Sequence, residues 1–364
     1  MKLKRFDADT LNEIIKYVLA FVMVILIGAF LVAVQGESPV IAVKALFSGT
    51  FGSKMAIGNT LRWSIPCIMT GMAAAVAFKS GVINLGIEGQ FYFGALAAAV
   101  VGYAVELPAG LHTVVCILAG IAAGVLYALL PALLRLLLKL DEMIVTMMLN
   151  YIAILLTEYI TITLMGISAV ANPLSVETPK IHDSAALPIL IRGTKANAGI
   201  FIAILVVVGI ALIYKYTVKG YELKQVGESI RFARVGGVKV TSTFISIFLL
   251  SGAISGLGGS VEVLGAYGKF NAGFAGSLGW DGVMIARVAK NNPFVVLIVA
   301  LLWGMMKAGS LQMERMTDIN RLTVTLVQAI FVLFITVDYA KLGAGVKKLV
   351  HKIKAKKSVA GGKM

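Results

Sequence analysis

The sequence predicts an all-α, polytopic membrane protein with about ten transmembrane segments. Of its 364 residues, 59% are hydrophobic and only 14% are charged. A soluble domain of this composition would expose far more apolar surface than such domains do. Long apolar runs recur along the chain, and each approaches the roughly 20 residues that a helix needs to cross a bilayer. The predicted spans are 14–34, 61–78, 91–105, 110–138, 141–166, 199–217, 242–264, 272–288, 293–309 and 322–338.

The placement of positive charge orients these spans. The net charge is +15, and most of the 33 Lys and Arg residues lie near the N-terminus, in segment 215–239 and in the basic tail 341–364. Cytoplasmic loops carry such an excess, so we expect both termini on the cytoplasmic side of the cell membrane. Omitting the glycine-containing span 272–288 would leave the tail outside, so it is kept as a short or broken helix. Anionic lipid headgroups, rather than nucleic acid, are the expected partner of this charge.

A polar stretch interrupts the apolar sequence between residues 81 and 95. It contains Asn84, Glu88 and Gln90 among several glycines, and the aromatic Phe91 follows directly. Hydrocarbon cannot satisfy a freed backbone group or a carboxylate, so such a stretch must lie against protein or a water-filled cavity. We therefore predict that these four residues lie at a break in the wall of a translocation pathway.

The same pattern recurs later in the chain. Leu-Gly-Ile-Glu-Gly at 85–89 is matched by Leu-Gly-Trp-Asp-Gly at 278–282, which adds Trp280 and Asp281 to the pathway candidates. The predicted orientation makes this an inverted repeat, 61–166 against 242–338, a plan typical of solute transporters. The alternative for Glu88 and Asp281 is a role in the first turn of a helix, where the dipole favours an acid, without any contact to cargo.

Other polar and small residues inside the spans have two interpretations each. Asn150 could hydrogen-bond a neutral solute or bridge helices. The patterns 120–124 and 252–256, each Gly-xxx-Gly, predict close helix packing within the chain, with dimerisation as the alternative. No segment is long enough for a separate soluble domain, so residues 1–364 are predicted to form a single transmembrane domain.

The basic segment 218–240 has an amphipathic helical pattern. Leu223, Val226, Ile230 and Ala233 recur at helical spacing between flanking glycines. One interpretation is a helix lying flat on the membrane surface. The other is a helix that docks into a groove of a soluble partner.

The sequence lacks the patterns of an enzyme or of a metal site. Cys67 and Cys116 each lie inside an apolar run, and the three histidines have no metal-ligand spacing. No Walker A motif occurs, so we expect no ATP binding by this chain and no cofactor of its own. Two alternatives remain: a membrane-embedded enzyme, for which no nucleophile constellation is found, and an ion-coupled secondary transporter. The latter would need an ion site among Glu88, Glu158, Glu262 and Asp281.

Taken together, four stretches resemble permease subunits of ATP-binding-cassette importers. They are residues 84–90, 141–151, 220–240 and 278–293, and the resemblance covers about 60–345. It is closest to the branch that handles nucleosides and simple sugars, alongside the branched-chain amino-acid permeases. The Glu-Gly-Gln sequence at 88–90 is most similar to the nucleoside-type members.

The resemblance implies a function and a set of partners. Two permease subunits, identical or homologous, would form the pore, separate ATPase subunits would use ATP, and an extracytoplasmic binding protein would deliver a nucleoside, or otherwise a simple sugar or another small solute. Segment 220–240 would be the coupling helix that contacts the ATPase. The residues assigned to that contact are Gly220, Gly227, Glu228, Arg231, Ala233 and Gly236.

Overall fold

A computed structural model describes residues 26–164 and 176–336 of the chain. Within these ranges the regular structure is helical, apart from isolated β-bridges that join Glu177 to Asn271 and Ile189 to Asn197. One π-helical turn spans Ile160–Leu164, and another spans Val263–Tyr267. The helices are α1 (Leu26–Val34), α2 (Pro39–Phe51), α3 (Lys54–Lys79), α4 (Ile87–Ala104), α5 (Leu111–Leu138), α6 (Glu142–Tyr159), α7 (Gly199–Tyr216), α8 (Val218–Glu228), α9 (Ile230–Val235), α10 (Val240–Glu262), α11 (Leu278–Val288), α12 (Pro293–Met316) and α13 (Leu322–Thr336).

The helices belong to two compact units. One spans Val40–Arg321 and contains every residue of the candidate site described below. The other combines the described residues up to Pro39 with those from Leu322 onward. In this second unit, the Gln35 side-chain amide donates a hydrogen bond of 3.2 Å to the Thr323 hydroxyl.

Among the described residues, fewer helices could cross a membrane than the sequence predicts. Six are long and apolar enough, and α1 with α2 would supply a seventh if the pair is one span. The count of about ten is therefore not confirmed, and the inverted repeat also stays a prediction. In the place of the eighth predicted span, α11 has only 11 residues. That is roughly 16 Å of helix, about half of the hydrocarbon thickness.

Capping residues fix several helix starts. The Ser53 hydroxyl accepts a hydrogen bond of 3.1 Å from the Ala56 amide and begins α3. Asp141 accepts from the Met143 and Ile144 amides at 2.9 and 3.2 Å and begins α6. At α12, Asn292 caps the helix and Pro293 occupies its first turn. These side chains satisfy amides that have no partner within their own helix.

Glycines bring α4, α5 and α10 into close contact. A Cβ at Gly94 would lie 2.4 Å from the Gly256 Cα, and one at Gly124 would lie 2.4 Å from the Gly252 carbonyl oxygen. Only glycine permits this backbone approach. The predicted close packing of the 120–124 and 252–256 patterns within the chain is therefore confirmed.

Helix α3 lies at the centre of this unit. In the most apolar 18-residue stretch of α3, 83% of the residues are buried, whereas the corresponding share for α5 is 22%. Glycines again allow the neighbours of α3 to approach closely. A Cβ at Gly282 of α11 would lie 2.5 Å from the Thr70 backbone, and a Cβ at Gly304 of α12 would lie 2.7 Å from the Ser64 backbone nitrogen. The buried polar residues Arg62, Ser64 and Thr70 of α3 therefore lie among other helices, and this arrangement positions the site.

Candidate functional site

The break between α3 and α4 is held by buried side-chain amides. Gly81 takes a left-handed φ of 75° directly after α3. Asn84 is fully buried, and its Oδ1 accepts a hydrogen bond of 2.9 Å from the Gly86 amide. Its Nδ2 donates to the Ser251 hydroxyl at 2.9 Å, which donates in turn to the Ala73 carbonyl oxygen at 2.9 Å. Asn84 therefore connects the break to α10 and α3.

Two further side chains from α4 and α6 complete this set. Asn150 accepts from the Gly89 amide at 2.8 Å and donates to the Leu85 carbonyl oxygen at 2.6 Å. Gln90 is 1% exposed and accepts from Asn84 Nδ2 at 3.2 Å. We call Asn84, Gln90 and Asn150 the amide cage. Asn150 thus links α6 to the start of α4, while its contact with a solute stays a prediction.

Phe91 lies beside the cage in the protein core. It is fully buried, and its ring stacks on the Phe274 ring with centroids 5.8 Å apart. Trp280 differs, because 39% of it is exposed at the surface of α11. Of the two aromatic pathway candidates, only Trp280 is thus open to a ligand in this conformation.

The two predicted breaks meet in space. Glu88 is 7% exposed, and its Oε1 accepts a hydrogen bond of 3.3 Å from the Ser277 amide, just before α11. A Cβ at Gly279 would lie 2.5 Å from the Glu88 Cβ. Glu88 thus lies in the first turn of α4 and also binds the start of α11. Both positions suit a negative charge, since helix N-termini carry unpaired amides and a partial positive charge.

Asp281 has a cationic partner that the sequence analysis missed. It is 2% exposed, its Oδ2 lies 2.7 Å from Lys307 Nζ, and its Oδ1 accepts a hydrogen bond of 3.2 Å from Trp303 Nε1. The signal was available, because Lys307 is a single charge inside the apolar run of α12 and an intramembrane lysine is itself a functional candidate.

A second buried ion pair joins α3 to α10. Arg62 and Glu262 are 8% and 2% exposed, and Arg62 Nη2 donates to Glu262 Oε1. Glu262 is therefore enclosed by the protein although it is the last residue of α10. A single charge at the centre of a membrane helix costs about 2.5–3.5 kcal/mol on insertion scales. The ion pair offsets part of this cost for both residues.

One tryptophan connects the two ion pairs. The Arg62 guanidinium lies 3.9 Å from the centroid of the Trp63 ring, and Lys307 Nζ lies 5.5 Å from it. The Tyr267 ring is 5.3 Å from the same guanidinium. Both cations are therefore within reach of aromatic faces that attract positive charge.

The predicted coupling segment is two helices rather than one. Ser229 has an extended backbone, with φ of −160° and ψ of 110°, and its hydroxyl caps α9 by accepting from the Phe232 amide at 3.3 Å. Leu223, Val226 and Ala233 are buried as their spacing predicts, whereas Ile230 is 54% exposed. The helix is therefore interrupted at Ser229, and Ile230 directly after it is not buried although its spacing predicts that it should be.

The coupling candidates fall into two groups. Gly220 and Gly227 pack against the protein's own backbone, since a Cβ would lie 2.0 Å from the Ile213 oxygen at the first and 2.3 Å from the Lys79 oxygen at the second. Ala233 is buried as well. The exposed candidates are Glu228, Arg231 and Gly236. Gly227 thereby brings the end of α8 against the α3–α4 break.

Comparison with known proteins identifies the family. Residues 56–336 match the family model described as "Branched-chain amino acid transport system / permease component". The guanosine ABC transporter permease protein NupP of Bacillus subtilis is 34% identical over 91% of this chain and 95% of its own length. The glucose ABC transporter permease protein TsgB13 of Haloferax volcanii is 29% identical over 89% of this chain and 87% of its own length. The nucleoside ABC transporter permease protein NupB of Lactococcus lactis is 28% identical over 90% of this chain and 92% of its own length.

No solved structure matches the chain significantly. The family model covers more than half of the residues, and the relatives align over nearly their whole lengths. This chain therefore belongs to the branched-chain amino acid transport system permease family and is an integral membrane permease subunit of an ABC importer, not an enzyme.

Proposed function

We propose that this permease imports nucleosides. The observation that carries the proposal is the similarity, over nearly the whole chain, to a relative named as a guanosine permease. A second relative is named for nucleosides, and Glu-Gly-Gln at 88–90 resembles the nucleoside-type branch. A simple sugar is the second candidate, favoured by the relative named as a glucose permease.

The subunit composition follows from the division of labour within such importers. A second permease subunit, identical or homologous, completes the pore. Separate ATPase subunits use ATP, and an extracytoplasmic protein delivers the cargo. This chain needs no cofactor of its own, and an ion-coupled mechanism is unnecessary.

The ATPase contact is formed by α8 and α9. Phe232 and Val235 are 63% and 89% exposed, and the basic residues Arg231 and Arg234 are exposed beside them. Apolar side chains that project in this way favour a protein partner over water. Glu228, Arg231 and Gly236 contact the ATPase directly, whereas Gly220, Gly227 and Ala233 hold the segment in place.

The chain is oriented with both termini in the cytoplasm. Support comes from the excess of Lys and Arg in 215–239 and in the basic tail 341–364, which lies outside the described residues. The chain forms one permease domain over 1–364, with repeat halves 61–166 and 242–338. The contact of Gly279 with Glu88 supports this repeat, because it brings the two matched motifs together.

The test is transport by the assembled complex in proteoliposomes. The permease is purified with its ATPases, second permease and binding protein, and uptake of radiolabelled guanosine, uridine and glucose is measured with and without ATP. We expect ATP-dependent uptake of the nucleosides. ATP-dependent uptake of glucose alone would establish the second candidate. Uptake by this chain alone, driven by an ion gradient, would contradict an ATP-driven mechanism.

A further inference from the structure

A mixed group of charged and aromatic side chains lies inside the apolar helices, next to the second break. It draws residues from α3, α10, α11, α12 and the π-helical turn after α10. Two of its charges are positive and two are negative, so the group is neutral as a whole. Its members are Arg62, Trp63, Glu262, Tyr267, Asp281 and Lys307. We call this group the cationic cluster after its two hydrogen-bond-donating cations, Arg62 and Lys307.

One donor group of the cluster has no acceptor. Arg62 uses Nη2 for Glu262, but its Nη1 is buried without a hydrogen-bond partner in the part of the chain that the structure describes. A buried donor without a partner is unfavourable. The cluster is therefore suited to a ligand that supplies acceptors.

Some members of the cluster are partly exposed, whereas others are buried. Arg62, Glu262 and Asp281 are buried, whereas Trp63 is half-buried and 22% of the Lys307 side chain is exposed. A partly exposed ammonium is disfavoured against lipid tails, so this face of α3 and α12 borders water or another polar surface. A solute could approach the donors from this side.

We propose that the cationic cluster recognises the nucleobase of the cargo during its passage through the membrane. The inference rests on the proposed import of nucleosides. A nucleobase is a flat, uncharged ring whose edge carries carbonyl oxygens and ring nitrogens as acceptors. Arg62 and Lys307 donate to this edge, and Trp63 provides apolar contact for the ring. Glu262 and Asp281 hold the two cations in position and keep the site neutral, which suits uncharged cargo.

Two variants of the same ion pair test the role of Lys307. Lys307→Met removes the donor but leaves Asp281 buried without its cation. The double variant Asp281→Asn/Lys307→Met removes both charges, and the amide oxygen introduced at position 281 can still accept from Trp303. The KM for guanosine is measured with the reconstituted complex. We expect about a tenfold rise in both variants, the change for loss of one hydrogen bond to a charged group. Recovery of the wild-type KM in the double variant would show a purely structural role and overturn the proposal.

The ring contact is tested separately at Trp63. We expect Trp63→Leu to raise the KM for guanosine and uridine by different factors, because the two bases differ in ring size, and Trp63→Phe to retain most of the affinity. Leu302→Met is the matched control, since Leu302 is 51% exposed on another face of α12. Equal KM values in wild type, Trp63→Leu and the control would contradict the assignment.

A contact with the second permease is the competing explanation for the open face. In that case the variants at positions 63 and 307 would lower the amount of second permease that copurifies, while the KM of the remaining assembled complex would equal that of wild type. Failure of the wild-type complex to transport any nucleoside would refute the proposed function and this inference with it. Nucleoside transport by wild type with KM values unaffected by the variants would refute this inference alone.

Discussion

The amide cage and the cationic cluster are both polar regions inside apolar helices, but their hydrogen bonding differs. In the cage, Asn84 and Asn150 each donate to and accept from other groups of the protein. In the cluster, Arg62 Nη1 is buried without a partner among the described residues, and Lys307 is partly exposed. The cage is closed, whereas the cluster has donors available for another molecule.

The difference indicates that the cage holds the helix break together, whereas the cluster recognises the solute. The sequence analysis placed both functions at the breaks. A break in a membrane helix needs internal partners for its freed backbone groups, and the cage supplies them. Recognition of a solute needs polar groups that are still available when the solute arrives. The predictions below test this separation by removing one partner at a time, from the largest expected effect on stability to the smallest.

The largest effect is expected for Arg62→Met. It leaves Glu262 buried and unpaired, and breaking a buried ion pair in this way costs about 3–5 kcal/mol. Thermal unfolding of the purified protein in detergent will measure it. The double variant Arg62→Met/Glu262→Gln should recover most of the loss. A single variant as stable as wild type would mean that Glu262 has another partner.

A smaller loss is expected for Asn150→Ala, which removes a partner from the Gly89 amide and the Leu85 carbonyl. Taking about 1–2 kcal/mol, the lower part of the usual range, for each of the two unsatisfied groups, the variant should lose about 2–4 kcal/mol. The KM for guanosine in the surviving complex should equal that of wild type. Tyr151→Phe, at a neighbouring side chain that is 60% exposed, is the control. A raised KM without loss of stability would instead assign Asn150 to cargo binding.

Gly227→Ala tests whether the ATPase-facing segment acts on the break. The added Cβ would lie 2.3 Å from the Lys79 oxygen and must displace α8, at a cost of about 1–3 kcal/mol. We expect kcat for transport to fall several-fold at constant KM. Gly209→Ala is the matched control, because that helical glycine has nothing within 4 Å of the added carbon. Equal kcat values in the two variants would show that α8 does not act on the break.

The smallest effect on stability is expected for Glu228→Lys. Glu228 is exposed, so its substitution should change the free energy of unfolding by less than about 0.5 kcal/mol. The amount of ATPase that copurifies should nevertheless fall, since charge complementarity governs such docking. Glu314→Lys, at an exposed glutamate near the C-terminal end of α12, is the control. A normal amount of copurified ATPase would show that Glu228 does not lie in the interface.

Local chemistry made part of this structure predictable. The helical class follows from composition, and the packing of α5 against α10 follows from glycine spacing. The first-turn position of Glu88 follows from the preference of helix starts for acids. In each case the deciding contacts involve neighbouring residues or a repeated spacing.

The cationic cluster could not be predicted in this way. Arg62 and Glu262 are 200 residues apart in sequence, and Lys307 pairs with Asp281 on a different helix. These pairs depend on how α3, α10, α11 and α12 pack together, which no single window of sequence contains. The two helices of the coupling segment were missed for a local reason, because the apolar spacing continues past Ser229 while its backbone is extended.

The contact between Gly279 and Glu88 limits how this protein can be engineered. A side chain at position 279 would meet both the Cβ of Glu88 and its backbone nitrogen, at 2.5 and 2.8 Å. The nitrogen remains whatever residue occupies position 88, so a shorter side chain there cannot compensate. Variant libraries should therefore keep glycine at 279, whichever residue stands at position 88.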